Sequence, residues 1–231
     1  DVEAAPDQAC AEVLKGFLAW LALAEGKTAS PNTVAYCRAR ARLPLKAIEE
    51  INAQVAMRIK EAPAARRLWR GRRVKVVDGS SLSMPDTKQN QALYPQPSGQ
   101  KPGCGFPVMR IVAVFSLASG AALSLARSAL SVGERALFRR LWDTFEPGEV
   151  VLADAGFCGF AEYHLLMQRG IDCVMRNHQR RKKGLTELER IGKGDRIIEW
   201  HKTTSRPAWL SQEQWQALPK RLRVREVTFS I

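Results

Sequence analysis

Apolar positions in this chain change period along its length. Val13, Leu14, Phe17, Leu18 and Leu21 recur at helical spacing between about Gln8 and Glu25, with Gly26 placed as a stop. Ser30-Pro31 reads as the N-cap and first position of a second helix running through Tyr36 to about Leu43, and a third runs from Leu45 towards Glu61 before Pro63. After a basic stretch from Arg66 to Lys75, short β-type runs take over. Val74-Lys75-Val76-Val77-Asp78-Gly79 is the first, and Arg110 to Leu117 and Ala122 to Leu130 form a hairpin about the Ala118-Ser119-Gly120 turn. An amphipathic helix is expected over Gly133 to Phe145, with Leu137, Phe138, Leu141 and Trp142 on one face and Pro147-Gly148 closing it. Then come a strand, Val150-Val151-Leu152-Ala153-Asp154-Ala155-Gly156, a helix over Ala161 to Arg169 and a strand over Ile171 to Met175.

The element order is β-β-β-α-β-α-β, which is that of an RNase H-like mixed sheet, an α/β class of fold. In such a sheet the first and fourth strands lie side by side and parallel. The aspartates ending these two runs, Asp78 and Asp154, are then expected at one rim, where open α/β sheets bind ligands. Taken singly, each Asp starts a turn or caps a helix just as well; the pair carries the functional reading. The expected division is a helical module over residues 1–65, the first part of an RNase H-like core over 66–178, and the start of a β-rich insertion over 179–231, where Leu222 to Phe229 alternates.

Charge narrows the partner. With 36 Lys+Arg against 23 Asp+Glu the formal net charge is +13, which favours a polyanion such as nucleic acid or an acidic membrane surface. The longest uncharged stretch, Ile111 to Ala126, is interrupted by Ser116, Ser119 and Gly120, so no membrane span is expected, and no signal peptide is visible. Five cysteines without a C-x-x-C pair argue against a disulfide framework and for the cytoplasm. Cys158, His164, Cys173 and His178 match no structural-zinc spacing. The chain starts without Met and stops inside the Leu222–Phe229 alternation, which reads as a fragment cut at both ends.

Two carboxylates at one rim repel unless a cation neutralises them. Magnesium takes oxygen ligands and commonly uses one or two carboxylates plus water and substrate phosphates, and a pair of ions about 3.5–4 Å apart assists in-line displacement at phosphorus. The stretches Asp78-Gly79-Ser80-Ser81-Leu82-Ser83-Met84-Pro85-Asp86-Thr87, Tyr94 to Pro107 and Leu152-Ala153-Asp154-Ala155-Gly156-Phe157, with Asn32 to Arg40 upstream, resemble bacterial insertion-sequence transposases of the DDE type. That resemblance implies Asp78 and Asp154 as the first two acids of an Asp-Asp-Glu triad, magnesium or manganese as the ion, and Asp78 bridging the metals. It also implies double-stranded DNA, as transposon ends and target, for a partner, action as a homo-oligomer on DNA, and a bacterial, nucleoid-associated location when acting.

Members of that family carry the third acid in a Tyr-x-x-Arg-x-x-x-Glu-x6-Lys pattern after a mainly β insertion. Glu187, Glu189, Glu199 and Glu226 lack that context, so the third acid is expected beyond Ile231 and this fragment alone is expected not to transpose DNA. Arg176, Arg180, Arg181, Lys182 and Lys183, crowded after the fifth strand, are the first candidates for DNA-backbone contact. Arg38, Arg40 and Arg42 fit either a helix-turn-helix module or an amphipathic helical cap with solvated arginines. Two alternatives stay open: a non-catalytic DNA-binding protein derived from a transposase, and a HAD-like phosphatase, which needs an acid where Ser80 stands. Gly79-Ser80-Ser81 lacks the G-x-S-x-G elbow of a serine hydrolase, and the Lys101 region lacks the P-loop spacing.

Overall fold

A computed structural model describes residues 6–61, 68–177 and 185–229, and the chain falls into two compact units that divide after Asn52. The first unit holds α1 (Pro6–Glu25), α2 (Thr33–Arg42) and the beginning of α3 (Leu45–Glu61). Helix α2 starts two residues later than the pattern suggests. Asn32 is its N-cap and accepts the Val34 amide at 2.9 Å, whereas the Ser30 hydroxyl is spent on the Asn32 amide at 3.3 Å.

The second unit contains a five-stranded mixed sheet in the order β3-β2-β1-β4-β5, built from β1 (Val74–Ser83), β2 (Val108–Ser116), β3 (Ala122–Ala129), β4 (Val150–Ala153) and β5 (Asp172–Met175). Strands β1, β2 and β3 are antiparallel neighbours, while β1–β4 and β4–β5 are parallel. This is the α/β, RNase H-like arrangement that the element order predicts. Gly120, at φ +73°, donates to the Ser116 carbonyl at 2.8 Å and closes the β2–β3 hairpin in a conformation that disfavours a side chain.

Strand β1 is longer than its sequence signal. It runs five residues past Asp78, paired with β2 from Lys75↔Ser116 to Ser83↔Val108, so Asp78 sits within the strand and marks only the end of its pairing with β4. The serines that follow are poor strand formers on a propensity scale; a partner strand holds them extended. Between β1 and β2 lies α4 (Lys88–Leu93), which the apolar pattern does not reveal because none of its residues is buried. Thr87 caps it through the Asn90 amide, and two glutamines knit the following loop: Gln91 bridges Asp86 and the Gly105 carbonyl, and Gln96 accepts the Gly103 and Gly105 amides.

One face of the sheet is packed. Val77, Val112, Val114, Ala126, Val151, Ala153 and Cys173 meet Leu137 and Phe138 from α5 (Glu134–Arg140) and Leu166 from α6 (Phe160–Gln168). Helix α5 is shorter than expected, ending at Leu141 before a 3-10 turn over Trp142–Thr144 that still places Trp142 and Phe145 in the core. Phe138 makes edge contacts with Trp142, Phe145 and Phe157 at centroid distances of 6.1, 6.1 and 5.5 Å. The opposite face exposes Leu125, Leu152 and Val174 at 50%, 36% and 53%.

A separate three-stranded antiparallel sheet, order β6-β7-β8, comprises β6 (Leu185–Gly192), β7 (Asp195–His201) and β8 (Arg221–Val227), with α7 (Gln212–Ala217) between the last two. Trp200 and Leu222 bury against Cys158 and Phe160 at the start of α6, and Trp215 and Leu218 bury against Ala161. Its exposed side is laced with ion pairs, including Arg225–Asp195 at 2.6 Å and Arg223–Glu189 at 3.3 Å. Such exposed pairs contribute little to stability each. Among the described residues no helix is long and apolar enough to cross a membrane.

The edge of the sheet opposite the two aspartates is pinned by charge. Lys75, 2% exposed, donates to Glu149 and to the Thr144 carbonyl at 2.6 Å, and its ammonium stands 5.7 Å from the Phe145 ring centroid. Arg72 donates to the Gly148 and Glu149 carbonyls and pairs with Asp172 at 2.6 Å, tying the entries of β1, β4 and β5 together. Replacing Lys75 by Ala leaves a buried carboxylate uncompensated and is expected to cost about 3–5 kcal/mol. Urea unfolding measures this, and Lys75→Met combined with Glu149→Leu is expected to lose much less.

Burial sets a second, alkaline limit on this unit. The Cys173 thiol is pushed up from 9.0 to about 12, by burial first and then by the neighbouring Cys158 and Asp172. Burial likewise raises the Tyr163 phenol from 10.0 to about 12, and its hydroxyl donates to the Cys173 carbonyl at 3.2 Å. Both groups hold their proton more tightly folded than unfolded, so their contribution is complete below about pH 9 and is lost as pH rises from there towards 12. Stability against urea is expected to fall steadily across that window, with a smaller fall in Tyr163→Phe.

Candidate active site

Parallel pairing of β1 with β4 stops at Val77↔Ala153, and the next residue on each strand is an aspartate. Asp78 and Asp154 therefore stand side by side on neighbouring strands, whose spacing is about 4.8 Å. Alternation assigns Asp78 to the face of Val76 and Leu152, the side that α5 and α6 do not cover. Both aspartates are exposed.

Each carboxylate is held locally by a glycine amide. Asp78 Oδ1 accepts from Gly79 N at 2.8 Å, and Asp154 Oδ1 accepts from Gly156 N at 2.8 Å, the latter forming a turn in which the side chain replaces a backbone acceptor. A side chain at either glycine would oblige a neighbouring carboxylate to give way. A Cβ on Gly156 would lie 3.1 Å from Asp154 Oδ1, and one on Gly79 would lie 2.8 Å from the Glu134 carboxyl carbon.

The Asp154 loop is anchored below by the buried Phe157 ring and beside by the Arg176 amide, which donates to the Ala153 carbonyl at 3.2 Å. Under it, Arg139 of α5 pairs with the buried Glu162 of α6 at 2.7 Å and stacks 4.3 Å from the Trp209 ring centroid. The loop thus rests on two helices that are fixed to each other.

The donor set suits a hard divalent cation. It consists of carboxylate oxygens, and Oδ2 of each aspartate makes no hydrogen bond among the described residues. No group of three or more His, Cys, Asp or Glu side chains placed to hold a metal occurs among the described residues. His164 lies on α6 with its pKa lowered by burial, and His201 contacts Thr186 and Glu199 in the small sheet. Asp86 accepts from Gln91 and organises its own loop.

The basic candidates fall in three places. Arg176 is exposed one residue beyond β5, beside the strand end that carries Asp154. Arg180, Arg181, Lys182 and Lys183, with His178, lie outside the described residues. Arg38, Arg40 and Arg42 are exposed on α2, in the other compact unit. Arg38 and Arg42 share a face at i and i+4 while Arg40 points elsewhere, so the three do not form one stripe. Glu134 was not singled out by sequence, since an acid in the first turn of a helix is an ordinary complement to the helix dipole.

Paired acids at the carboxyl-terminal rim of a mixed RNase H-like sheet define a class of phosphoryl-transfer domains in which carboxylates hold the reaction's cations. The sequence profile of the transposase DDE domain matches residues 69–225, and the chain belongs to that family. Among solved structures a match is found to a chain from the cryo-EM structure of piggyBac transposase synaptic complex with hairpin DNA. The identity is 9%, the TM-score 0.33, and the match covers 67% of this chain and 36% of that one, so this chain spans about a third of its length. None of the curated proteins matches.

Proposed function

We propose that this chain is part of a DNA transposase of a bacterial insertion sequence, with Asp78 and Asp154 as two acids of its phosphodiester-cleaving site. The observation that carries the reading is the register: pairing ends at Val77↔Ala153, and an aspartate follows on both strands of a domain in the transposase DDE family.

Asp78 and Asp154 would hold magnesium or manganese, which when bound supplies Lewis-acid stabilisation of the charge that builds on the phosphate. The residues of the chain then do three things. The two carboxylates fix one rim against which a phosphodiester is oriented, their Oδ1 atoms being kept in place by Gly79 and Gly156. Phe157, buried in the core, keeps the Asp154 loop from moving as the substrate docks. Arg176 neutralises a DNA phosphate next to that rim; Arg180, Arg181, Lys182 and Lys183, which follow it in sequence, and, in the helical unit, Arg38, Arg40 and Arg42 are further phosphate contacts.

Cleavage in this reading is attack by a water oxygen on phosphorus with rupture of the bond to the 3′ oxygen, leaving a 3′ hydroxyl and a 5′ phosphate. Strand transfer is the same exchange, with the 3′ hydroxyl attacking a second phosphodiester and losing its proton. None of Glu187, Glu189, Glu199 and Glu226 stands in the family's motif for a third acid. Full-length protomers are proposed to pair on two DNA ends.

Manganese should raise the melting temperature of the chain, since a ligand at about 100 times its dissociation constant adds about 2.7 kcal/mol. Asp78→Asn and Asp154→Asn should each abolish the shift without lowering the metal-free melting temperature; retention of the full shift in both would overturn the assignment. For duplex DNA, Arg176→Ala should reduce the slope of log affinity against log salt by about 0.9. An unchanged slope, measured by anisotropy from low to moderate salt, would remove Arg176 from the interface.

A further inference from the structure

Helix α1 carries more apolar surface than the first unit uses. Leu14, Leu18 and Leu21, at i, i+4 and i+7, turn inward: Leu14 is buried and the other two are half-buried. Beside them Val13, Phe17, Trp20 and Ala24 recur at intervals of four, three and four residues and form a second stripe, which is left in solvent. Val13, Phe17 and Trp20 are 56%, 52% and 54% exposed, and Leu23 at the margin of the stripe is 89% exposed. The Phe17 and Trp20 rings stack with centroids 5.9 Å apart, so the two present one apolar plate.

The unit has little else to hold it together. Among its described residues Leu14 is the one apolar side chain that is buried, and α2 buries none. Domains of about 60 residues are marginal even with a complete core. A helix that is apolar over most of its circumference is one that is covered on more than one side.

The charges on α1 decide what kind of partner does the covering. Its Lys15 pairs with Glu12 at 2.8 Å away from the stripe, and the stripe itself has no charged side chain. A polyanion finds nothing to bind there, and lipid surfaces select helices whose polar face is rich in Lys and Arg. What the stripe fits is another stripe with the same alternation of three and four residues, the spacing by which two helices interlock side chains at a shallow crossing angle.

The area agrees. Phe17 and Trp20 each leave on the order of 100 Å² in water, given about 150–250 Å² for a buried aromatic, and with Val13 and Leu23 the stripe comes to roughly 400 Å². Apolar atoms make up about 57% of an interface, so the whole contact is about 700 Å² per partner, close to the ~800 Å² of a standard stable complex.

We propose that α1 is a dimerisation helix, its Val13–Phe17–Trp20 stripe packing against the same stripe of a second copy about a twofold axis. This rests on the proposed function for its purpose, since it names the surface on which protomers paired on two DNA ends meet; the contact itself needs neither metal nor DNA.

The test is the mass of the whole chain in solution, measured by sedimentation equilibrium without metal or DNA. At tens of micromolar the wild type should have the mass of two chains, whereas Phe17→Glu and Phe17→Lys, each placing like charges across the axis, should have the mass of one. Position 17 lies near the middle of the stripe and meets its counterpart whether the helices run parallel or antiparallel. An equal mixture of the two variants should therefore recover the mass of two chains, which variants that had merely unfolded could not do. Ala19→Glu, on the side of Glu12 and Lys15, should dimerise as the wild type does. A wild type with the mass of one chain, or of a range of larger species, overturns the proposal. So do Phe17 variants that remain dimers, a mixture that stays at one chain, or an Ala19→Glu variant that loses the dimer. With metal and DNA absent, none of these outcomes bears on the manganese shift or the salt slope that test the proposed function.

Discussion

The site depends on one alignment, the parallel pairing of β1 with β4 in the register Val77↔Ala153. A slip of one residue along either strand would turn its whole set of side chains to the other face and separate the acids. Packing prevents the slip. Val77, Val151 and Ala153 are buried against α5 and α6, and shifting either strand would bring Lys75, Asp78 or Leu152 out of the places their chemistry demands.

Charge fixes the same alignment from the far end. Lys75, within the first pairs of the parallel ladder, and Glu149, just before β4, form a buried pair, and Arg72 collects two carbonyls from the turn before β4 and the Asp172 carboxylate at the start of β5. Buried pairs of this kind contribute modest net stability, because desolvation offsets most of the attraction; their value is in rejecting alternatives that would leave one charge alone. The acids themselves sit at the opposite end, free of such constraints, with only glycine amides for partners. Rigidity is concentrated in the scaffold, and the carboxylates are left available.

The two faces of the sheet have divided roles. Both described helices of the core lie on one side, where the aromatic cluster around Phe138 fills the space between strands and helices. Asp78 belongs to the other side, along with the exposed Leu125, Leu152 and Val174, and this keeps the carboxylate accessible. The small antiparallel sheet does not cover it: its apolar residues bury against α6, while Arg, Glu and Asp neutralise each other along its outer surface.

The order of strands, the two acidic runs and the amphipathic face with Leu137, Phe138 and Trp142 were legible in the sequence, because apolar periodicity records which side of an element is buried. Periodicity is silent where nothing is buried, which is why α4 and the last five residues of β1 escaped it: α4 is held by a Thr cap and the glutamine network beside it, and the β1 extension by pairing to β2. The break in α5 at Leu141 was hidden for the opposite reason, since the apolar pattern continues across it while the backbone tightens into a 3-10 turn. By itself the sequence determined the order of the five strands of the main sheet and of α5 and α6, the family, and the two strand-end aspartates as candidates, all properties of local composition and spacing. Only the tertiary structure decided the register that ends the parallel pairing at Val77↔Ala153, that the Glu134 side chain lies against Gly79, and which sheet face stays open. Those are contacts between residues far apart in the chain, set by strand register and close packing, and no local pattern encodes them.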